Sequence, residues 1–391
     1  MKIVGIIAVC DFKSLPNGGE VFLLRNFLSA NNNNEIKYYL IGMTFDKSMN
    51  VGKLQKINVE GREYDFLPVS KVLKDKEKTY IPFRLRVVLG LIKYKKIINK
   101  IKLDSLYIHS AELGIPFWNN KSSSIVYHVH GDPGQTLKYS RFSLFRGNLW
   151  TKLYYSFIRK TINKSQKVIW AANKSKELYL SAQPDMKQIV DAKSITIHSS
   201  FDNRLKCSNK TIELPKRKHL VTVARLAAIK RIDFIIKVVN RLIQEGQNID
   251  LLICGDGEEK DNLTKLAEKL DLQDRIIFLG LLDKSKLAQV LDQSEAFLFA
   301  SESEAMSLVV LESLFMGVPV VSTNVGDLKD AVVNNISGYI VDGYDIELYS
   351  TCVKNVLSNT KQYYSEACKK IARRYTPQNM AMSIHEVFLY E

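Results

Sequence analysis

The sequence predicts an α/β protein with two Rossmann-like domains, each a doubly wound parallel sheet, and three observations carry that prediction. Short apolar runs alternate with helical spacing along the whole chain, the pattern of βαβ units. The 391 residues exceed what one hydrophobic core usually holds, so about two domains are expected. Residues 202–218, midway, are polar and basic and contain Pro215, which places the domain boundary there.

In the first half, buried strands are expected at residues 3–9, 36–41, 105–109, 125–130, 167–171 and 194–198. Met1-Lys2 and the apolar run to Cys10 imitate a short signal peptide. Asp11 and Lys13 follow at once, however, and no small-residue cleavage site appears, so the run reads as a first buried strand. In the second half the strands are expected at 220–224, 250–254, 275–279, 296–300, 318–322 and 338–341, with helices between. The tail from Gln378 to Tyr390 has helical spacing at Met382, Val387 and Tyr390. Ligands of such sheets bind beyond the carboxyl ends of the strands, so the residues just after each run are the ones to inspect.

Composition narrows the class. Hydrophobic residues at 46% and charged residues at 25% match a water-soluble globular protein, and no apolar run approaches the roughly 20 residues that cross a bilayer. The five cysteines are scattered, odd in number and without a Cys-x-x-Cys pair, which fits a reducing cytoplasm. A net charge of +15 implies an anionic partner. Residues 71–102 carry eleven Lys or Arg against two acids, with Leu85, Val88, Leu89 and Ile92 as an apolar stripe. Residues 138–164 carry seven Lys or Arg and no acid, interleaved with Tyr139, Phe142, Phe145, Trp150, Tyr154, Tyr155 and Phe157. Two readings stay open: amphipathic helices with solvated basic faces, or docking on an anionic membrane surface. Nucleic acid is not expected, since no recognised module is present and the second half lacks a comparable patch.

The stretch 301–321 says most about function. Leu308–Phe315 is apolar and of helical length, Ser307 is placed as its N-cap, Gly317 as its stop, and Pro319 opens the next strand. A diphosphate fits that helix start, where free N–H groups and the dipole favour anions. Glu304 lies in the preceding loop and Glu312 within the helix, so each carboxylate can accept hydroxyls at one end of a ligand. Hydroxyls on both sides of a diphosphate describe a nucleotide sugar.

Arg225 directly follows the strand at 220–224, and Lys230-Arg231 come five residues later. Arg grips a diphosphate bidentately and Lys adds a mobile charge, as a leaving nucleoside diphosphate requires. Alone, this spacing reads as surface charge; the Glu304 to Glu312 run gives it a ligand. Gly255-Asp256-Gly257 follows the next strand and permits close backbone approach. No Asp-x-Asp occurs, so neutralisation of the diphosphate is expected to need no metal, and no cofactor is expected.

Four histidines, His109, His128, His130 and His198, fall at or near carboxyl ends of strands. His130 is best placed to hydrogen-bond a sugar hydroxyl or pass a proton at working pH. A core or turn histidine is the competing reading, stronger for the other three. A histidine metal cluster is not expected, because no Asp or Glu stands at ligand-like spacing. Gly18-Gly19-Glu20 forms a glycine turn beyond the first strand, with either a plain βα-turn role or a phosphate or acceptor role.

Together, Val223-Ala224-Arg225-Leu226 through Lys230, Ile253-Cys254-Gly255-Asp256-Gly257, Ile277-Phe278-Leu279-Gly280 and the Glu304 to Glu312 run resemble family 4 of the retaining glycosyltransferases. That resemblance implies the GT-B fold, with two Rossmann-like domains facing a central cleft. It implies an acceptor-side domain at 1–205, a nucleotide-sugar domain at 206–375, and a tail from about 376 to 391 that crosses back to the first. Carried over, it makes Arg225 and Lys230 the diphosphate ligands, Glu312 the ribose acceptor and Glu304 the contact to the transferred sugar. The N–H groups near Ser307, Leu308 and Val309 would hold phosphate, Gly19 would approach the leaving group, and His130 would meet the sugar or acceptor. The chain departs from the family pattern at Ala305-Met306-Ser307, where Gly-Phe-Gly is common, at Ser199-Ser200-Phe201-Asp202 and at Asp327.

The expected activity is retaining, metal-independent transfer of a hexose or N-acetylhexosamine from a nucleoside diphosphate sugar, a UDP-sugar first, to a hydroxyl of a glycan or lipid-linked glycan. The expected setting is the cytoplasm, at the inner face of the cell membrane. An epimerase of the same fold and a non-catalytic sugar-nucleotide-binding adaptor are the alternatives.

Overall fold

A computed structural model of the protein describes residues 1–15, 19–72, 82–131, 148–202, 205, 212–359 and 361–390. The chain divides into two compact units, Met1–Ser199 with Pro377–Glu391, and Ser200–Thr376. The change of unit falls just ahead of the polar stretch that marks it in the sequence. Phe201 is the reason: its ring is fully buried 4.5 Å from that of Phe315, and its N–H donates to the Tyr375 carbonyl, so it belongs to the second core.

The first unit is an eight-stranded sheet of β1 (Lys2–Asp11), β2 (Ile36–Thr44), β3 (Gln55–Val59), β4 (Arg62–Lys71), β5 (Ser105–Ile108), β6 (Ser124–Val129), β7 (Lys167–Trp170) and β8 (Ser194–Thr196), in the order β3-β4-β2-β1-β5-β6-β7-β8. All neighbours are parallel except β3 and β4. That antiparallel hairpin is absent from the sequence-based expectation. Pro68 inside β4 argues against a strand, yet its carbonyl accepts from the Gly52 N–H, so its missing donor faces the side on which the β3 pairing has already ended at Phe66. Glu60 and Gly61, both at positive φ, close the hairpin in two residues.

The helices of this unit are α1 (Gly19–Ala30), α2 (Phe83–Lys93), α3 (Lys95–Lys100), α4 (Asn148–Lys164), α5 (Asn173–Ala182) and α6 (Lys187–Lys193). In α2, Val87, Val88 and Leu91 enter the core, whereas Leu85, Leu89 and Ile92 are about half exposed, at 49%, 54% and 53%. Val88 therefore leaves the expected surface stripe. Tyr139, Phe142 and Phe145 of the second basic segment lie outside the described residues.

The second unit is a six-stranded, all-parallel sheet of β9 (Lys218–Val223), β10 (Ile249–Cys254), β11 (Ile276–Gly280), β12 (Ala296–Phe299), β13 (Val320–Thr323) and β14 (Gly338–Val341), ordered β11-β10-β9-β12-β13-β14. Every residue of β10 is buried, as a strand covered on both faces requires, and its one charge, Asp250, is met by the Arg217 Nε at 2.8 Å. Its helices are α7 (Ile232–Gln244), α8 (Lys260–Lys269), α9 (Lys284–Gln293), α10 (Leu308–Phe315), α11 (Ile346–Ser358) and α12 (Lys361–Ala372). The chain then returns to the first unit as α13 (Pro377–Leu389), burying Met380, Ala381, Ile384 and Phe388 in its core.

Strand order reverses beside β1 in the first unit and beside β9 in the second. Loops on the two sides of such a point diverge and leave a crevice beyond the strand ends. In the second unit those loops follow β9 and β12; in the first they follow β1 and β5.

Candidate functional site

In the second unit the loop after β9 carries Arg225 and the 3₁₀ turn Ala228–Lys230. The loop after β12 is fastened to that turn by the Glu302 N–H, which donates to the Ile229 carbonyl at 2.9 Å, and by the Ser301 hydroxyl, which reaches the same carbonyl. Arg231, left-handed at the start of α7, braces the junction. It pairs with Asp233 at 3.1 Å and Glu302 at 3.3 Å, and its guanidinium lies over the Tyr344 ring. Two backbone segments some seventy residues apart are thus held so that the Lys230 ammonium contacts the Glu304 carboxylate.

Arg225 is largely exposed and donates to both oxygens of Glu258, at 3.0 and 3.2 Å. Each predicted diphosphate cation therefore has a carboxylate partner that an anionic ligand would have to displace. Gly255, at positive φ, is required by the chain itself: a side chain there would collide with the Ala224 carbonyl, because the loops after β9 and β10 are zipped together.

Beyond Glu304 the chain enters α10 at the residues expected. Ser307 is the N-cap by backbone conformation, although its hydroxyl makes no capping bond, and Gly317 ends the helix at positive φ. The N–H groups of the first turn, including Leu308 and Val309, point out of the helix start without intrahelical acceptors. Glu312 is 1% exposed. Its Oε1 accepts from the Lys284 ammonium at 2.5 Å, while Oε2 has no hydrogen-bond partner among the described residues. Burial raises the Glu312 pKa against the pull of Lys284. An unsatisfied, buried carboxylate oxygen suits a ligand hydroxyl.

Lys284 and Glu258 are absent from the sequence reading. Glu258 stands in the turn after β10 and Lys284 opens the helix that follows β11, so the strand-end rule could have found them; what hid them is that each acts only as a partner of a residue on another loop or helix.

In the first unit, Gly18 lies outside the described residues. Gly19 opens α1 with open space where a side chain would stand. Glu20 has one buried oxygen without a hydrogen-bond partner, and burial, opposed by Arg84, pushes its carboxyl up to about 7. Arg84, still partly exposed, pairs with Glu112 at 3.1 Å.

His130 sits just past β6 with its Nε2 2.8 Å from the His109 Nδ1 and its ring stacked 4.3 Å from that of His128. Burial, with a contribution from Arg84, lowers its pKa to about 3. Of the two expected roles, hydrogen-bonding a sugar hydroxyl or passing a proton, this lowering favours the first, since it keeps the ring neutral at neutral pH. The structure also brings together three histidines that the sequence treats as separate.

Residues 204–375 match the family described as Glycosyl transferases group 1. Among similar proteins, N-acetyl-alpha-D-glucosaminyl L-malate synthase of Bacillus anthracis is 28% identical over 38% of this chain and 40% of its own length. D-inositol 3-phosphate glycosyltransferase of Mycolicibacterium smegmatis is 29% identical over 42% of this chain and 38% of its own. The alignments thus span about two fifths of these relatives. Among solved structures, sucrose-phosphate synthase from Thermosynechococcus elongatus superposes with a TM-score of 0.74 at 15% identity, over 100% of this chain and 99% of that one. Anabaena HepE in complex with UDP gives 0.67 at 16% identity over the whole of both chains. The fold is therefore that of the GT-B glycosyltransferases. The match to the glycosyl transferases group 1 family lies within the second unit.

Proposed function

We propose that the protein is a retaining glycosyltransferase that moves a hexose or N-acetylhexosamine from a nucleoside diphosphate sugar, with UDP as the leading base, to a hydroxyl of a glycan or lipid-linked glycan. The observation that carries this reading is the convergence, at the strand reversal beside β9, of Lys230, Glu304, the start of α10 and the half-satisfied Glu312. The names of relatives support it, among them an alpha-monoglucosyldiacylglycerol synthase of Streptococcus pneumoniae, 25% identical over 44% of this chain.

In this reading Arg225 and Lys230 exchange their carboxylate partners for the diphosphate and neutralise the charge that grows as the glycosidic bond to phosphate breaks. Two cations and a helix start supply that charge without requiring a metal. The free Oε2 of Glu312 accepts a ribose hydroxyl, and Glu304, released from Lys230, accepts hydroxyls of the transferred sugar. The first unit serves the acceptor side, with Gly19 near the leaving group and neutral His130 as a hydrogen-bonding ring. Transfer to the same face follows when the leaving phosphate takes the acceptor proton.

The same reading places the protein at the inner face of the cell membrane through α2, where exposed Leu85, Leu89 and Ile92 recur at helical spacing next to Lys93 and Lys96. Lys95 is engaged otherwise, donating to the Pro116 carbonyl at 2.6 Å. Lys93→Glu with Lys96→Glu should abolish sedimentation with phosphatidylglycerol vesicles and leave transfer to a soluble acceptor intact; wild-type protein that never sediments with such vesicles refutes the docking.

Product analysis tests the activity itself. UDP-glucose, UDP-galactose and UDP-N-acetylglucosamine are incubated with the protein and a panel of lipid-linked and free glycans. Release of nucleoside diphosphate coupled to acceptor glycosylation supports transfer. Free epimerised nucleotide sugar supports the epimerase instead, and tight donor binding without turnover supports an adaptor.

A further inference from the structure

The parallel register of β5 and β6 pairs Ile108 with Tyr127, so His109, just past β5, comes level with His128 inside β6, and His130 follows the end of β6 in the same small volume of the first unit. One ring nitrogen of each histidine lies within 4.8 Å of one from each of the others. The His109 Nδ1 and His130 Nε2 are only 2.8 Å apart. His109 and His128 are 3% and 0% exposed, and the Nε2 atoms of both find no hydrogen-bond partner among the described residues. A buried polar nitrogen left unsatisfied costs on the order of 1–3 kcal/mol, and the His128 Nε2, in the ring stacked on that of His130, calls for an occupant.

We propose that His109, His128 and His130 form a binding site for one first-row divalent cation of the zinc class, separate from the diphosphate site of the second unit. Imidazole nitrogen is the ligand type that zinc, copper and nickel share, and three such rings leave a coordination position for water or a solute oxygen. With metal–nitrogen bonds of about 2.0–2.1 Å, two ligands of a tetrahedral ion stand about 3.3 Å apart, close to the present spacing of His109 Nδ1 and His130 Nε2. The ion would replace the proton those two nitrogens share, each ring then holding its single proton on its other nitrogen.

Tyr107 completes the arrangement. Its Oη lies 2.6 Å from the His128 Nδ1, so Nδ1–H can donate to it and turn the Nε2 lone pair toward the ion, the outer-shell support that ligating histidines generally have. The tyrosine is fully buried and its ring lies 4.3 Å from that of His109, which fixes both partners.

The test uses the full chain without a histidine tag, stripped with EDTA, dialysed, and titrated with Co²⁺ under visible spectroscopy, followed by Zn²⁺ competition. Uptake of one equivalent with intense tetrahedral bands that Zn²⁺ displaces is the expected result, with His109→Asn and His128→Asn losing it. Tyr107→Phe should weaken affinity 10–100-fold and keep the stoichiometry, which covers the case in which a histidine variant does not fold. Absence of saturable Co²⁺ uptake by the wild type, weak octahedral bands, or uptake unchanged in Tyr107→Phe and His128→Asn would each overturn the site and leave the stacked rings to bridging water. None of these outcomes bears on the donor site, whose nucleotide response is expected to survive EDTA.

Discussion

The two units differ in what they bury at their strand ends. Beyond β9 and β12 the second unit sets charges of both signs in contact: Lys230 with Glu304, Arg225 with Glu258, Lys284 with Glu312. Beyond β5 and β6 the first unit stacks imidazoles that burial keeps neutral, and beyond β1 it carries a carboxyl raised to about 7. One unit buries a carboxylate with its cation, while the other buries imidazoles and keeps its ion pairs, Lys13 with Asp46 and Arg84 with Glu112, partly exposed. The difference teaches that the same sheet topology can bury charged or neutral groups at its strand ends, according to whether a counter-charge is within reach.

The largest effects should come from breaking the charged side. Lys230→Ala should lower turnover on the order of 10²–10³-fold, the cost of removing one group that stabilises developing charge. Glu304→Ala should lose transfer far more than nucleotide affinity, whereas Arg225→Ala should weaken both, because its guanidinium serves ground state and transition state alike. Steady-state kinetics beside equilibrium nucleotide titration separates these patterns. Full activity and unchanged binding in Arg225→Ala would end its proposed role.

The neutral side should show itself in acid. Burial lowers His385, packed between Phe27 and Tyr38 in the first unit, to about 4, and His130 to about 3. A depressed folded pKa means that the unfolded chain binds the proton first. The stabilisation is therefore complete above about pH 6.5 and is lost as pH falls toward 4, by about 3 kcal/mol for His385 alone. All three tryptophans, Trp118, Trp150 and Trp170, belong to the first unit, so their fluorescence follows this loss directly. His385→Phe should flatten the dependence; an unchanged slope contradicts the assignment.

Lys284→Met should destabilise by about 1–3 kcal/mol in urea unfolding, since it leaves the Glu312 carboxylate buried without its cation, and adding Glu312→Gln should recover most of that loss. Glu258→Gln makes the smallest change. It frees an exposed guanidinium, so nucleoside diphosphate affinity should rise by at most about fivefold, readable by calorimetry and weaker at high salt.

Legibility in the sequence follows the distance over which each feature is built. Helix α10 was readable residue by residue, from Ser307 to Gly317, because its cap, apolar face and stop are all local. Arg225, Lys230 and Glu304 stand in loops after strand ends and Glu312 on the α10 helix itself, so the placement of each follows from local signals. The β3–β4 hairpin was not, since Pro68 argues against a strand and is tolerated where the pairing with β3 has already ended. The pairing of Glu258 and Lys284 with site residues, and the meeting of His109, His128 and His130, arise between loops that only the sheet order brings together. The position of His130 past a strand end follows from the local pattern, whereas the burial that lowers its pKa belongs to packing and leaves no local mark.

The most direct test is thermal unfolding with UDP, GDP, ADP and CMP, each in EDTA and in excess magnesium, because a ligand of the folded state raises the melting temperature by mass action. The account predicts a rise with one nucleoside diphosphate that persists in EDTA and disappears in Arg225→Ala. No rise with any nucleotide, or a rise that requires magnesium, would contradict it.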